Sequence, residues 1–221
     1  MQTKFKIAVG IVVFIVLAVV SLSFLQPSPI SEKSPAFSED INPNIIKAFL
    51  EVYQVYSSLH SYGFDVVQGE LSSSTMQAQP VIDLSELFGT NRRYRLDIAE
   101  KIMDSGDLFL ADLPKDVLRG WFAHELGHIM DYENHTNFGM VTYGIRYVLS
   151  DKFKREREHD ADSIAIRHGF RSDLIATKRY ILENDFISPA YQEQIKKYYM
   201  SITGAELCPD HRVPMLPKVD L

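Results

Sequence analysis

A chain of 221 residues with 46% hydrophobic content is long enough to build one ordinary globular core. Its net charge of −6 argues against a nucleic-acid binder, which would carry a basic patch. The single cysteine, Cys208, excludes an intrachain disulfide framework and any zinc site built on four cysteines or on two cysteines and two histidines.

At the N-terminus, Ile7 to Leu25 is an uncharged and mostly apolar run of the length that crosses a bilayer core. Lys4 and Lys6 precede it and the next charge is Glu32, so the positive-inside bias keeps the short N-terminus cytoplasmic. The expectation is a membrane-spanning anchor over residues 1–25, with the rest of the chain on the periplasmic or extracellular side. The alternative is a cleaved signal peptide with Ser21 and Ser23 near the cut, which would give a secreted protein. Residues 26–38 are rich in proline and serine and read as a spacer, leaving 39–221 as the folded domain.

Ile45, Phe49, Val52, Tyr53 and Tyr56 recur at helical spacing and predict a helix over 44–59. Between Phe64 and Ala111 the pattern predicts short strands, with Val81-Ile82, Tyr94 to Ile98 and Leu108 to Ala111 as their apolar pieces. Asp104-Ser105-Gly106-Asp107 reads as a turn between two of them. An edge strand at this place could take up an extended peptide by strand addition.

A helix follows over 114–132, with Asp112 as candidate N-cap, Pro114 in the first turn and Asp116 complementing the dipole. It carries His124-Glu125-Leu126-Gly127-His128. Positions i and i+4 share a helix face, so both imidazoles can reach one ion, and neutral imidazole suits Zn²⁺. Glu125 sits about 100° round the helix from His124, beside the ion rather than on it. That is where a general base takes a proton from a zinc-bound water.

Asn134 to Ser150 reads as a lid or substrate loop. A further helix over 152–168, ended by Gly169 as C′ residue, carries Glu158-His159-Asp160-Ala161-Asp162. A catalytic zinc wants three protein ligands and one open position. Glu158 can be the third ligand, with Asp162 one turn on accepting from a ligating imidazole and fixing its tautomer. His159, Asp160 and Asp131 are the competing third ligands. Tyr143, Tyr147, His168, Arg171, Arg179 and Tyr191 are candidates for stabilising the oxyanion. Cys208-Pro209-Asp210-His211 offers too few ligands for more than a plain tail. Helices over 173–183 and 189–203 complete the chain, the latter started by Ser188-Pro189.

His124-Glu125-x-x-His128 followed by Glu158-x-x-Ala161-Asp162 resembles the gluzincin metalloendopeptidases of the CAAX-prenyl and heat-shock membrane endopeptidase family. The resemblance covers roughly Pro114 to Leu182. It implies a zincin-like α+β fold, mainly helical with a small sheet before the active-site helix. It also implies one zinc per chain on His124, His128 and Glu158, Glu125 as catalytic base and Asp162 behind the ligands. The expected function is membrane-anchored, zinc-dependent hydrolysis of peptide bonds in a peptide or protein substrate, with no nucleic acid involved. The chain departs from the family in lacking a glycine-containing strand segment at Leu108 to Asp112, and in having one span where many members have several. Two other readings stand beside it: a catalytically idle zinc-binding interaction module, and a hydrolase of non-peptide amides.

Overall fold

The computed structural model describes residues 33–71, 74–81 and 92–210. The Ile7–Leu25 run, Ile82 and His211 lie outside them. No helix of the described residues is long and apolar enough to cross a membrane.

The fold is α+β, a four-stranded sheet followed by a mainly helical half. The elements are β1 (Ala36–Phe37), α1 (Pro43–Tyr53), β2 (Gly63–Gly69), β3 (Met76–Pro80) and β4 (Arg93–Ala99), then α2 (Lys115–Tyr132), α3 (Asn137–Leu149), α4 (Asp151–Arg167), α5 (Arg171–Leu182), α6 (Pro189–Tyr198) and α7 (Ile202–Leu207). The strand order is β1-β2-β4-β3, with β1, β2 and β4 parallel and β3 antiparallel on the edge. Inward residues alternate along the strands, Phe64 and Val66 from β2 beside Tyr94, Leu96 and Ile98 from β4. They pack with Phe49 and Val52 of α1 and Phe122, Leu126 and Ile129 of α2 in one continuous core. The core thus fixes α2 along the sheet, with β3 beside it.

Several sequence expectations need correction. The segment 134–150 is not a loop: α3 fills it, started by Thr136, whose hydroxyl accepts from the Gly139 N–H at 3.0 Å. Asp112 is not the N-cap of α2, because Leu110–Asp112 forms a 3-10 turn and Pro114 takes the cap position. Leu108 to Ala111 is not a strand; Phe109 makes only a lone bridge to Lys101. Val81 follows β3 rather than lying in a strand of its own. The Asp104 to Asp107 turn is present, with left-handed φ at Asp104 (55°) and Gly106 (66°).

The helix expected over 44–59 stops at Tyr53, and the Tyr56 backbone leaves helical geometry. That departure turns Tyr56 inward, where its hydroxyl donates to the Ala123 carbonyl at 2.7 Å. Gly169 does end α4 as expected. At φ 90° it lets its own N–H reach Ile166 and the Phe170 N–H reach Ala165, which satisfies the last carbonyls of the helix.

Candidate metal centre

Every residue of the His124 to His128 turn except the two spacers is polar, yet all five are buried, because α2 runs between the sheet and the helices α4 and α5. A buried imidazole needs a partner. For His124 the partners come from α4. Its Nε2 lies 3.1 Å from Glu158 Oε2 and its Nδ1 lies 2.8 Å from Asp162 Oδ1. His128 Nε2 lies 3.4 Å from the same Glu158 oxygen. His128 Nδ1 has no hydrogen-bond partner among the described residues.

One ligand atom from each of His124, His128 and Glu158 therefore falls within 4.8 Å of the others. Glu125, His159, Asp160 and Asp131 are not in that group. Atoms bound about 2.0–2.2 Å from one tetrahedral ion are separated by roughly 3.4 Å. The two His–Glu separations, 3.1 and 3.4 Å, match that spacing. Lys178 pairs with Asp162, whereas Glu158 has no lysine or arginine partner among the described residues and, of basic groups, meets only the two imidazoles. The donor set, two imidazoles and a carboxylate, is one that zinc accepts. The residues present fit the ion.

The close approach of α4 is made by Gly127. A Cβ there would sit 2.6 Å from the Ala161 carbonyl oxygen, on the turn between Glu158 and Asp162. Glycine at the second spacer position of the motif is what brings Glu158 into range of the two imidazoles.

Glu125 is held off the ligand cluster by the edge strand, because the Ala78 N–H donates to its Oε2 at 2.8 Å. The pairing of β3 explains why that N–H is available. Ala99 N–H bonds Thr75 and Val81 N–H bonds Arg93, so Met76, Ala78 and Pro80 turn their main-chain groups away from β4. The Ala78 carbonyl accepts from the Tyr132 hydroxyl at 3.2 Å, and the Tyr132 ring stacks on His128.

Behind His124 lies a second layer that only partly follows from the sequence. Asp162 Oδ2 accepts from Lys178 Nζ at 2.9 Å and from the Met200 N–H at 3.0 Å. The helix expected over 189–203 is in fact broken at Tyr199, whose extended backbone ends α6. The break presents the Met200 N–H to Asp162 and lays the Tyr199 ring 5.2 Å from His124. Burial disfavours charge on His124, yet the Asp162 and Glu158 carboxylates outweigh it and hold its pKa up at about 10. Burial likewise opposes the Glu158 charge, but His128 and His124 keep its carboxyl well below the usual range. Burial also opposes the Asp162 charge, and Lys178 and His124 overcome it to lower that carboxyl too.

The remaining candidates separate clearly. Tyr147 of α3 reaches the site and donates its hydroxyl to Glu158 Oε1; burial, then the Glu158 charge, push its pKa far up. Tyr143 donates to Asp131 at 2.9 Å, and Arg157 also bonds Asp131, in a polar cluster one turn beyond His128. His168 stacks on Tyr56 at the end of α4, and Tyr191 pairs with Thr75. Arg171 binds the carbonyls of Ala205, Glu206 and Cys208, and Arg179 pairs with Glu206 on the surface. None of these last four touches the ligand cluster. Cys208 is unpaired and adjoins Ser163.

No protein-family model matches the chain, and neither does any curated protein or solved structure. The arrangement of side chains therefore carries the functional argument alone.

Lys178 is the residue of the site most open to discovery from sequence. Leu174, Lys178 and Ile181 share one face of α5, and a lysine within a buried apolar stripe signals a buried partner.

Proposed function

We propose that this chain is a zinc-dependent endopeptidase of the gluzincin type, held at a membrane by Ile7–Leu25. The observation that carries the reading is the convergence of His124, His128 and Glu158 with Glu125 placed beside them rather than among them. A structural site has no use for a buried carboxylate in that position. This also favours catalysis over an idle zinc module.

His124 Nε2, His128 Nε2 and a Glu158 oxygen would hold the ion. When bound, zinc would polarise the scissile carbonyl and lower the pKa of water at the site towards about 7. Glu125 accepts the proton of the attacking water and returns it to the leaving amine. Asp162 keeps the His124 proton on Nδ1, so that Nε2 presents its lone pair to the ion. Tyr147, the one hydroxyl of the candidate set at the cluster, would donate to the developing oxyanion once Glu158 engages the ion.

The preference for a peptide over other amides rests on the resemblance carried by His124 to His128 and Glu158 to Asp162. The edge of β3 does not add to it, since the Ala78 N–H is taken by Glu125 and its carbonyl by Tyr132.

The test is metal content and peptidase activity of the full chain and two variants. The parent should hold one zinc. Glu125→Gln should keep it and lose about 10²–10⁴ in turnover. Glu158→Ala should lose the metal. Full activity in Glu125→Gln would overturn the proposed base, and full zinc in Glu158→Ala would overturn the ligand set.

A further inference from the structure

Helix α3 has two faces of different purpose. Its inner face places Met140 and Tyr143 against Phe153 and sends the Tyr147 hydroxyl to Glu158. Its outer face carries Val141, Ile145, Val148 and Leu149, which are 44%, 55%, 81% and 79% exposed. Their spacing, i, i+4, i+7 and i+8, makes one stripe along the helix. Four of the eight exposed large hydrophobic side chains among the described residues thus lie on one helix, which is not the scatter of an ordinary surface.

The charges around the stripe are selective. The helix contains no acidic residue, and its one charge, Arg146, lies over the Phe153 ring at 4.1 Å. Lys152 follows at the start of α4 with 87% of its side chain exposed, in a loose 3.9 Å contact with Glu156 one turn on. Asp151, the first acid after the helix along the chain, is bound by Lys197 and Tyr198. An apolar stripe with a cationic border on a chain of net charge −6 matches an anionic lipid surface.

We propose that the outer face of α3 docks on the bilayer, as a shallowly inserted interfacial helix beside the metal site. The proposal rests on the reading of Ile7–Leu25 as an anchor. Only Gln26 to Glu32 separates that run from Lys33, and seven residues reach at most about 25 Å. A domain of this size is roughly 40 Å across, so the anchored domain cannot leave the bilayer by its own diameter. The short tether keeps the lipid surface at a high effective concentration for any apolar face the domain presents. A second copy of the chain is the poorer occupant. A stable interface uses about 20–30 residues a side, whereas an interfacial helix needs only a stripe. Because α3 touches Glu158 on its other face, docking would set the site at the lipid surface, where it would meet membrane-proximal segments of a substrate.

The experiment uses the full chain in a Cys208→Ser background, carrying one environment-sensitive fluorophore at Ile145→Cys, Val148→Cys or, as control, Phe186→Cys, which is exposed outside α3. Each protein is reconstituted into vesicles of phosphatidylcholine and phosphatidylglycerol, with and without brominated lipid. Brominated lipid should quench the probes at 145 and 148 by about twofold or more and leave that at 186 unchanged. Adding Val141→Asp and Leu149→Asp, both at exposed positions, should abolish the quenching at 145 while circular dichroism stays the same. If the chain floats with the vesicles but 145 and 148 are quenched no more than 186, the docking face is wrong and the anchor stands. If the chain does not float, both fail. A concentration-dependent blue shift at 145 without lipid would assign the face to a second copy and overturn the proposal.

Discussion

At the residue scale, the chemistry is set by how buried charges are matched. Lys178 is the counterion of Asp162, and Asp162 orients His124, so the ammonium acts on the site at one remove. Lys178→Met leaves a buried carboxylate without its partner. It should cost about 3–5 kcal/mol in urea unfolding of the metal-free protein. The misoriented His124 should also weaken metal binding by about 10–100-fold. Lost stability with unchanged metal affinity would reduce Lys178 to a structural role. His124 yields a pH prediction. Its pKa is raised from 6.5 to about 10, so in the metal-free chain its contribution to stability is complete below about 6.5 and is lost as pH rises through about 10. Glu158 and Asp162 are lowered, so theirs is complete above their ordinary values of 4.5 and 3.8 and is lost in acid. A metal must displace the extra His124 proton, so binding at neutral pH should release about one proton and tighten about tenfold per pH unit up to about 10. Calorimetry in buffers of different ionisation enthalpy measures this, and a release of none would mean that His124 starts out neutral.

At the element scale, the site depends on the distance between two helices. Gly127 lets α2 touch α4 at Ala161, and no other residue type leaves room there. Gly127→Ala should keep the helical circular dichroism, cost about 1–3 kcal/mol through overpacking, and lose most of the bound zinc as Glu158 is pushed away. Normal zinc content in that variant would show that the helices can part without moving the ligands. The helices carrying the motif are legible because strong 3.6-residue periodicity and end signals mark them: Gly169 closes α4, and α2 begins within one residue of the expectation. The segment 134–150 reads as a loop because its apolar residues lie on both faces of α3. Val141 and Ile145 face outward while Met140 and Tyr143 face inward, which blurs the usual one-sided pattern. The break at Tyr199 is hidden for another reason. Local propensity allows a helix to run on from Pro189, and only the buried Asp162 carboxylate rewards the backbone for leaving it.

At the scale of the whole molecule, the candidate metal site is a joint between the sheet half and the helical half. Ala78 from β3, His124 from α2, Asp162 from α4, Lys178 from α5 and Met200 after α6 all meet there. A ligand that binds only this assembled arrangement stabilises the fold by mass action. Zinc at a thousandfold excess over its Kd should add about 4 kcal/mol, or roughly 8–16 °C in Tm for a domain of this size. Thermal unfolding with and without chelator reads the difference, and an unchanged Tm would mean that the ion does not bridge the halves. By itself the sequence determined the candidate donor pairs, since residues four apart on a helix meet whatever the helix packs against. His124, Glu125 and His128 were readable for that reason, as were Glu158 and Asp162 as a pair on one face. Tertiary structure alone decided that the two pairs meet, that Lys178 and the Met200 N–H stand behind Asp162, and that an edge strand holds Glu125. Those contacts join residues 16 to 47 positions apart, and no local period records which distant surfaces a buried polar group will find.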